Sequence, residues 1–263
     1  IYLAFGTSSE INGGESDLGS NCGYGGIFSL PGAAGVGDGR PERVTNIELG
    51  TKWELFDHRL LLTAAAFRLV KNDVFETGSP DSYADAGSLN TGKHRVQGVE
   101  IGFVGNITSR LSGQASVTLM DSKILRSNDL DIPAATLLAF PDATNVDRKL
   151  SNFANNQANL LLRYQVTDAF ALGGAANYKS RISAGQPDGA ALFDYTLGKY
   201  RYTVPAYTTF DLFASYRFSE KLEARLNVKN VTDKAHYLAA YRGGFFVYKG
   251  DARAARLTLA AKF

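Results

Sequence analysis

The sequence predicts an all-β fold, an antiparallel transmembrane β-barrel wall, from three observations. Apolar residues recur at every second position along most of the chain, tight turns alternate with long loops, and Ala255 to Phe263 form a terminal amphipathic strand. The last residues of a soluble domain are usually the least tied down. A barrel strand must pair along its length, because lipid offers its backbone no hydrogen bonds.

Each strand shows a period of two. Ile1 to Gly6 opens the chain as a strand, which suggests a piece cut from a longer protein. Glu42 to Leu55 sets Ile47, Leu49, Trp53 and Leu55 against Asn46, Glu48, Lys52 and Glu54. Val99, Ile101 and Phe103 flank Glu100 and Gly102, and Leu160, Leu162, Tyr164 and Val166 alternate with Arg163, Gln165 and Thr167. Thr209 to Phe218 alternates with Phe213 as the exception, and Lys221 to Asn230 alternates throughout. Ten strands are expected, over about 1–6, 42–55, 59–72, 94–107, 110–123, 156–166, 169–180, 205–218, 221–232 and 252–263. Short turns at Phe56, Thr108, Thr167 and Ser219 alternate with loops over 7–41, 73–93, 124–155, 181–204 and 233–251. Loops of that length are uncommon in a soluble sandwich, whereas outer-membrane barrels combine short periplasmic turns with long extracellular loops. Trp53, Tyr164, Tyr216, Phe218 and Phe263 fall near the turn end, where an aromatic girdle is expected.

Composition agrees. The longest apolar stretch, Leu60 to Val70, is broken by Thr63 and Arg68, and mean hydropathy is −0.14. This excludes a membrane helix, which needs about 18 or more apolar residues. Lys plus Arg (28) nearly balance Asp plus Glu (26), against a dedicated nucleic-acid binder. Cys22 is the single cysteine, so no internal disulfide or cysteine zinc cluster is expected. His58, His94 and His236 lack metal-ligand spacing.

Five segments resemble TonB-dependent outer-membrane receptors. Pro41-Glu42-Arg43-Val44-Thr45-Asn46-Ile47-Glu48-Leu49-Gly50-Thr51-Lys52-Trp53 is similar to the family's PE-x-x-x-N-x-E-x-G-x-K strand. In family order follow Gly98-Val99-Glu100, Val204-Pro205-Ala206-Tyr207-Thr208-Thr209-Phe210-Asp211, Leu226 to Lys234, and the terminal Phe263. The resemblance implies that 1–263 is the C-terminal part of a barrel of about 22 strands, with the plug domain and TonB box outside this chain. It implies a receptor and active transporter of the ferric-siderophore, catecholate-type branch, in the bacterial outer membrane and energised by TonB-ExbB-ExbD. Iron would arrive already chelated, with no resident cofactor. Cobalamin, a sugar or another chelate is the alternative ligand. A small barrel enzyme or a passive porin is the alternative class; no G-x-S-x-G motif supports an enzyme.

Two loops hold the candidate ligand-binding residues. Residues 181–204 offer Tyr195, Tyr200, Arg201 and Tyr202, with Arg181, Phe193 and Lys199 nearby; residues 233–251 offer Tyr237, Tyr241, Arg242, Phe245, Phe246, Tyr248 and Lys249. Aromatic faces with cations suit a flat, anionic chelate, although loop aromatics also pack on one another to order a loop. Glu48, Glu100, Arg225 and Arg256 are expected on the interior face as an ion network. Asn230 is expected to end strand pairing and launch a loop. Phe263 is the assembly signal that the resemblance implies. Phe263→Ala should lower surface expression of the full receptor, and unchanged expression would leave it an ordinary girdle residue.

Overall fold

The computed structural model describes residues 1–10, 41–77, 88–130, 132–185, 189–241 and 246–262. Seven strands come first: β1 (Tyr2–Glu10), β2 (Glu42–Leu55), β3 (Leu60–Thr77), β4 (Ser88–Asn106), β5 (Leu111–Arg126), β6 (Asn156–Gln165) and β7 (Phe170–Lys179), with a short helix α1 (Ala134–Ala139) between β5 and β6. Four two-residue strands follow, β8 (Ile182–Ser183), β9 (Phe193–Asp194), β10 (Lys199–Tyr200) and β11 (Thr203–Val204). Then come β12 (Tyr207–Arg217), β13 (Leu222–Lys229), β14 (Tyr237–Tyr241), β15 (Phe246–Lys249) and β16 (Ala254–Ala261). Ten of these form one antiparallel sheet, in the order β1-β2-β3-β4-β5-β6-β7-β12-β13-β16. The ten strands expected from alternation are these ten, with β1 and β16 at the edges.

The tight turns have a shared local cause. Ile107-Thr108, Val166-Thr167 and Phe218-Ser219 each place a hydroxyl just past a strand end. Thr108 Oγ1 accepts from the Arg110 and Leu111 amides, Thr167 Oγ1 from Ala169 and Phe170, and Ser219 Oγ from Lys221. The side chain thus satisfies backbone donors that the ladder cannot reach. The β2–β3 turn instead runs through positive φ at Phe56, Asp57 and His58.

Several strands exceed their expected limits. β3 continues to Thr77 and β4 begins at Ser88, so 73–77 and 88–93 of the loop expected over 73–93 belong to strands, and 78–87 lie outside the described residues. Register shifts around Val74 and between Lys93 and His94 move the alternation out of phase while pairing continues. β1 reaches Glu10 through Thr7-Ser8-Ser9, which is polar on both faces and shows no alternation. The loops expected over 181–204 and 233–251 contain the pairs β8–β11, β9–β10 and β14–β15.

Directly opposed residues share a face, and the register joins the strands into two continuous surfaces. One row runs Leu3–Leu49–Ala66–Val99–Leu119. Another runs Leu160–Ala176–Phe210, and Leu212–Val228 and Ala214–Leu226–Leu257 continue it. This apolar face is open: Leu49 is 56%, Ile101 55%, Leu212 52% and Leu257 66% exposed. Trp53, Tyr164, Tyr216 and Phe218 lie on it at the turn end; Phe263 lies outside the described residues. On β5 it runs Leu111, Gly113, Ala115, Val117, Leu119 before Asp121, about nine residues, the length of a membrane-crossing strand.

Glu48, Glu100, Arg225 and Arg256 share the other face, as expected, but make local contacts in place of one ion network. Tyr2 donates to Glu48, Thr118 to Glu100 (3.4 Å), and Arg225 pairs with Glu223 (2.7 Å). Phe213, the exception to the alternation, also lies here. Its ring covers Gly173 on β7, where any Cβ would collide with it.

The buried apolar side chains gather mainly at the loop end. Ala154, Ile182, Ala184, Val204 and Ala240 form one cluster that joins three loops. Asn152, at φ 53°, ties them together: its amide donates to Ser183 O (2.7 Å), its Nδ2 to Gly185 O (3.3 Å), and its Oδ1 accepts from Ala240 N (2.9 Å). At the end of β13 the buried Asn230, φ 45°, accepts from Lys234 N and donates to Lys234 O and Asp251 O, while its amide donates to Asp211 Oδ1. The motif residue therefore ends the strand and holds the next loop, as expected. Leu226→Arg, on the apolar face, should cost about 2–4 kcal/mol of folding free energy near the bilayer midplane. Refolding into phosphatidylcholine vesicles along a urea series measures this, and no loss would mean that the face does not meet lipid.

Candidate functional site

At the loop end of β5, β6 and β7 lies a cleft of about 1130 Å³. Met120 of β5 lines it, with Lys149, Phe153 and Asn155 from the β5–β6 loop and Arg181, Lys199, Tyr200, Arg201 and Tyr202 from the β7–β12 loop. Among the described residues four cations meet one carboxylate, Asp194. Arg201 Nε pairs with that carboxylate at 2.9 Å. The Leu197 backbone N–H (3.0 Å) first, and Arg201 second, hold Asp194 below the usual carboxylate range. Among the described residues Lys149, Arg181 and Lys199 form no ion pair, so the cleft carries uncompensated positive charge.

An aromatic stack braces one side of the cleft. Phe193 packs edge-on against Tyr195 and Tyr200, both at 5.3 Å between centroids, and Phe140 approaches Tyr195 at 5.9 Å. The Arg148 guanidinium lies over Phe193 at 3.6 Å and near Tyr195 at 5.0 Å. Tyr195 donates to Thr144 O at 2.9 Å, and burial pushes its phenol pKa up. The Lys149 amide donates to the Tyr200 hydroxyl at 3.0 Å. Tyr195 and Tyr200 therefore bind the two loops to each other, the packing role that loop aromatics also allow.

The expected site residues separate into two groups. Tyr200, Arg201 and Tyr202 line the cleft, with Tyr195 behind them. Tyr237, Tyr241, Phe246, Tyr248 and Lys249 belong to the β14–β15 hairpin, where Tyr237 opposes Lys249 and Tyr241 opposes Phe246. Phe246 and Tyr248 are exposed, and Tyr237, Phe246, Tyr248 and Lys249 are not among the residues that line the cleft. Arg242 and Phe245 lie outside the described residues. Sequence reading missed Lys149, Phe153 and Asn155, which sit in a loop without aromatic clustering; the run Asp147-Arg148-Lys149 was its one signal.

The family description "TonB dependent receptor-like, beta-barrel" matches residues 4–231. The chain belongs to this family. The probable TonB-dependent receptor BfrD of Bordetella pertussis is 34% identical over 227 residues, 83% of this chain and 27% of BfrD. The catecholate siderophore receptor Fiu of Escherichia coli K12 is 28% identical over 259 residues, 98% of this chain and 30% of Fiu. The crystal structure of Fiu in its closed form matches 98% of this chain and 32% of that chain, with TM-score 0.67 and 25% identity. The siderophore receptor PiuA of Acinetobacter baumannii shares the fold, with TM-score 0.71 over 99% of this chain and 33% of that chain, at 24% identity. The chain thus spans under a third of the length of the curated relatives BfrD and Fiu. Membership in this receptor family places it in the outer membrane. No group of three or more His, Cys, Asp or Glu side chains among the described residues could hold a metal ion.

Removing the Arg148 guanidinium should loosen the brace without touching the sheet. Arg148→Ala is expected to raise amide exchange over 190–202 roughly tenfold, the worth of one partly dry cation–π contact. Exchange in β12 and β13 serves as the internal reference.

Proposed function

We propose that this chain forms the C-terminal wall and outer loops of a receptor of about 22 strands that imports a ferric siderophore with energy delivered through TonB. The apolar face meets lipid, the face carrying Glu48, Glu100 and Arg225 meets the lumen, the short turns are periplasmic and the long loops extracellular. The plug and TonB box belong to the remainder of the protein, where the TonB-ExbB-ExbD complex would act.

The observation that carries the reading is the cleft at the loop end. Lys149, Arg181 and Lys199 supply charge without acidic partners among the described residues, and Tyr200, Tyr202 and Phe153 supply ring faces. That combination favours a flat, anionic chelate, with cations steering it in and rings stacking on its rim. Fiu, similar over nearly the whole chain, is a catecholate siderophore receptor. The segment 233–251 supplies a second contact surface in this proposal, with Tyr237, Phe246, Tyr248 and Lys249 on the β14–β15 pair.

Arg181→Ala/Lys199→Ala should weaken binding of a ferric catecholate to whole cells by roughly ten- to thirtyfold, about 1 kcal/mol for each cation, with surface expression unchanged. A receptor-deleted strain carrying the wild-type gene should regain iron-limited growth on that chelate. Rescue only by a nutrient other than a siderophore would overturn the iron assignment.

A further inference from the structure

The cleft opens onto the polar face of the three strands that carry it. In the first row beneath it the register sets Thr118–Gln157–Lys179, and in the second Ser116–Asn159–Asn177. Gln157, Asn159 and Asn177 are exposed there, and Asn159 Nδ2 donates to Ser116 Oγ at 2.7 Å. Two rows further Arg163 opposes Ser112 and Gly173. β6 and β7 contain no acidic residue on either face, and Asp121, the acid of β5, lies on the apolar side. Among the described residues Lys179 and Arg163 form no ion pair.

The neighbouring strands differ on the same face. β2 carries Glu48 and Glu54 there, and β4 carries Glu100, which accepts from Thr118 (3.4 Å). On β12, Asp211 opposes Ala175 and accepts the Asn230 amide at 2.7 Å, while the Phe213 ring lies over Gly173. The acid-free stretch is therefore three strands wide, with a carboxylate-bearing strand on each side. It begins directly under the cleft that holds Lys149, Arg181 and Lys199.

A surface that passes an ion along has to bind it well enough to admit it and weakly enough, at several sites, to release it. Neutral amides and hydroxyls meet that requirement, since each hydrogen bond to an anion's oxygen replaces one to water at small net gain. Carboxylates would hold the anion back. Lys179 and Arg163 add positive charge at the two ends: Lys179 opposes Gln157, which lies six residues from Arg163, about 20 Å along the strand.

Resting on the siderophore reading above, we infer that the polar face of β5–β7 is the wall along which an anionic chelate leaves the cleft toward the periplasm. Gln157, Asn159 and Asn177 form the neutral lane between Lys179 and Arg163.

The full receptor in whole cells tests this with two readouts. Gln157→Glu/Asn159→Asp/Asn177→Asp places carboxylates in the lane at almost constant size. Uptake of a labelled ferric catecholate should fall roughly tenfold, at the low end of what local charge does to the passage of an ion, while binding to unenergised cells keeps its affinity. Thr63→Asp, in the same row three strands away on β3, should leave uptake unchanged. Unchanged uptake in the triple variant, or an equal loss in Thr63→Asp, overturns the proposal. If the triple variant loses surface binding, Asn177→Asp alone should lower uptake about threefold, and full uptake counts against the lane.

The second readout needs no iron. Asn159→Cys, in a receptor otherwise without cysteine, should react about tenfold faster with an anionic than with a cationic methanethiosulfonate, each rate taken relative to a small free thiol. Asn46→Cys, two residues from Glu48 on the same face, should lack that preference. No reaction at Asn159→Cys, no preference for the anion there, or the same preference at Asn46→Cys overturns the lane. A wild type that neither binds nor imports the ferric catecholate would remove the siderophore assignment instead, and the thiol readout would still decide whether this wall favours anions.

Discussion

The cross-strand ladder is the constraint on which everything else in this chain depends. A strand in hydrocarbon has no water to satisfy its N–H and C=O groups, so each group has to pair with a neighbouring strand. Register follows from that pairing, and register decides which side chains share a face. A slip of one residue would exchange the faces of Leu226 and Leu257 with those of Arg225 and Arg256. The apolar face, the polar face and the cleft are all read from one set of opposed residues. The fixed register also explains why single exceptions are tolerated. Phe213 breaks the alternation, but it lies over Gly173, so the two residues fill one side-chain space between them.

The wall of the fold was legible in the sequence wherever alternation was clean. Ile47, Leu49 and Trp53, or Leu222, Ala224 and Leu226, state their strand and face without help. Legibility fails for two physical reasons. At Val74 and His94, bulges keep the pairing but shift its phase, so period-two reading ends a strand that continues. At Thr7-Ser8-Ser9 both faces are polar, and nothing in the sequence separates paired backbone from a loop.

The site was only half legible for a different reason. Aromatic density singled out 181–204, and Tyr200, Arg201 and Tyr202 of that segment line the cleft. It could not separate residues that face the opening from those, such as Tyr195, that hold two loops together. Nor could it reveal Lys149 and Phe153, whose position depends on Asn152 and the Arg148–Phe193 stack, contacts between residues 31 to 88 apart in the chain. Long-range contacts of this kind leave no local periodicity to read.

The order of strands in the sheet bears on how such a wall can be built. Every strand of the sheet lies beside the strand that precedes or follows it among the ten, and β7 meets β12 across a loop that folds on itself. Four tight turns, three of them fastened by a hydroxyl, make β2–β3, β4–β5, β6–β7 and β12–β13 into hairpins whose partners are close in sequence. Loop closure is then inexpensive in entropy for four of the nine pairings in the sheet. Assembly can advance by whole hairpins, each added against the edge left by the one before, so that the growing sheet exposes a single advancing edge at a time.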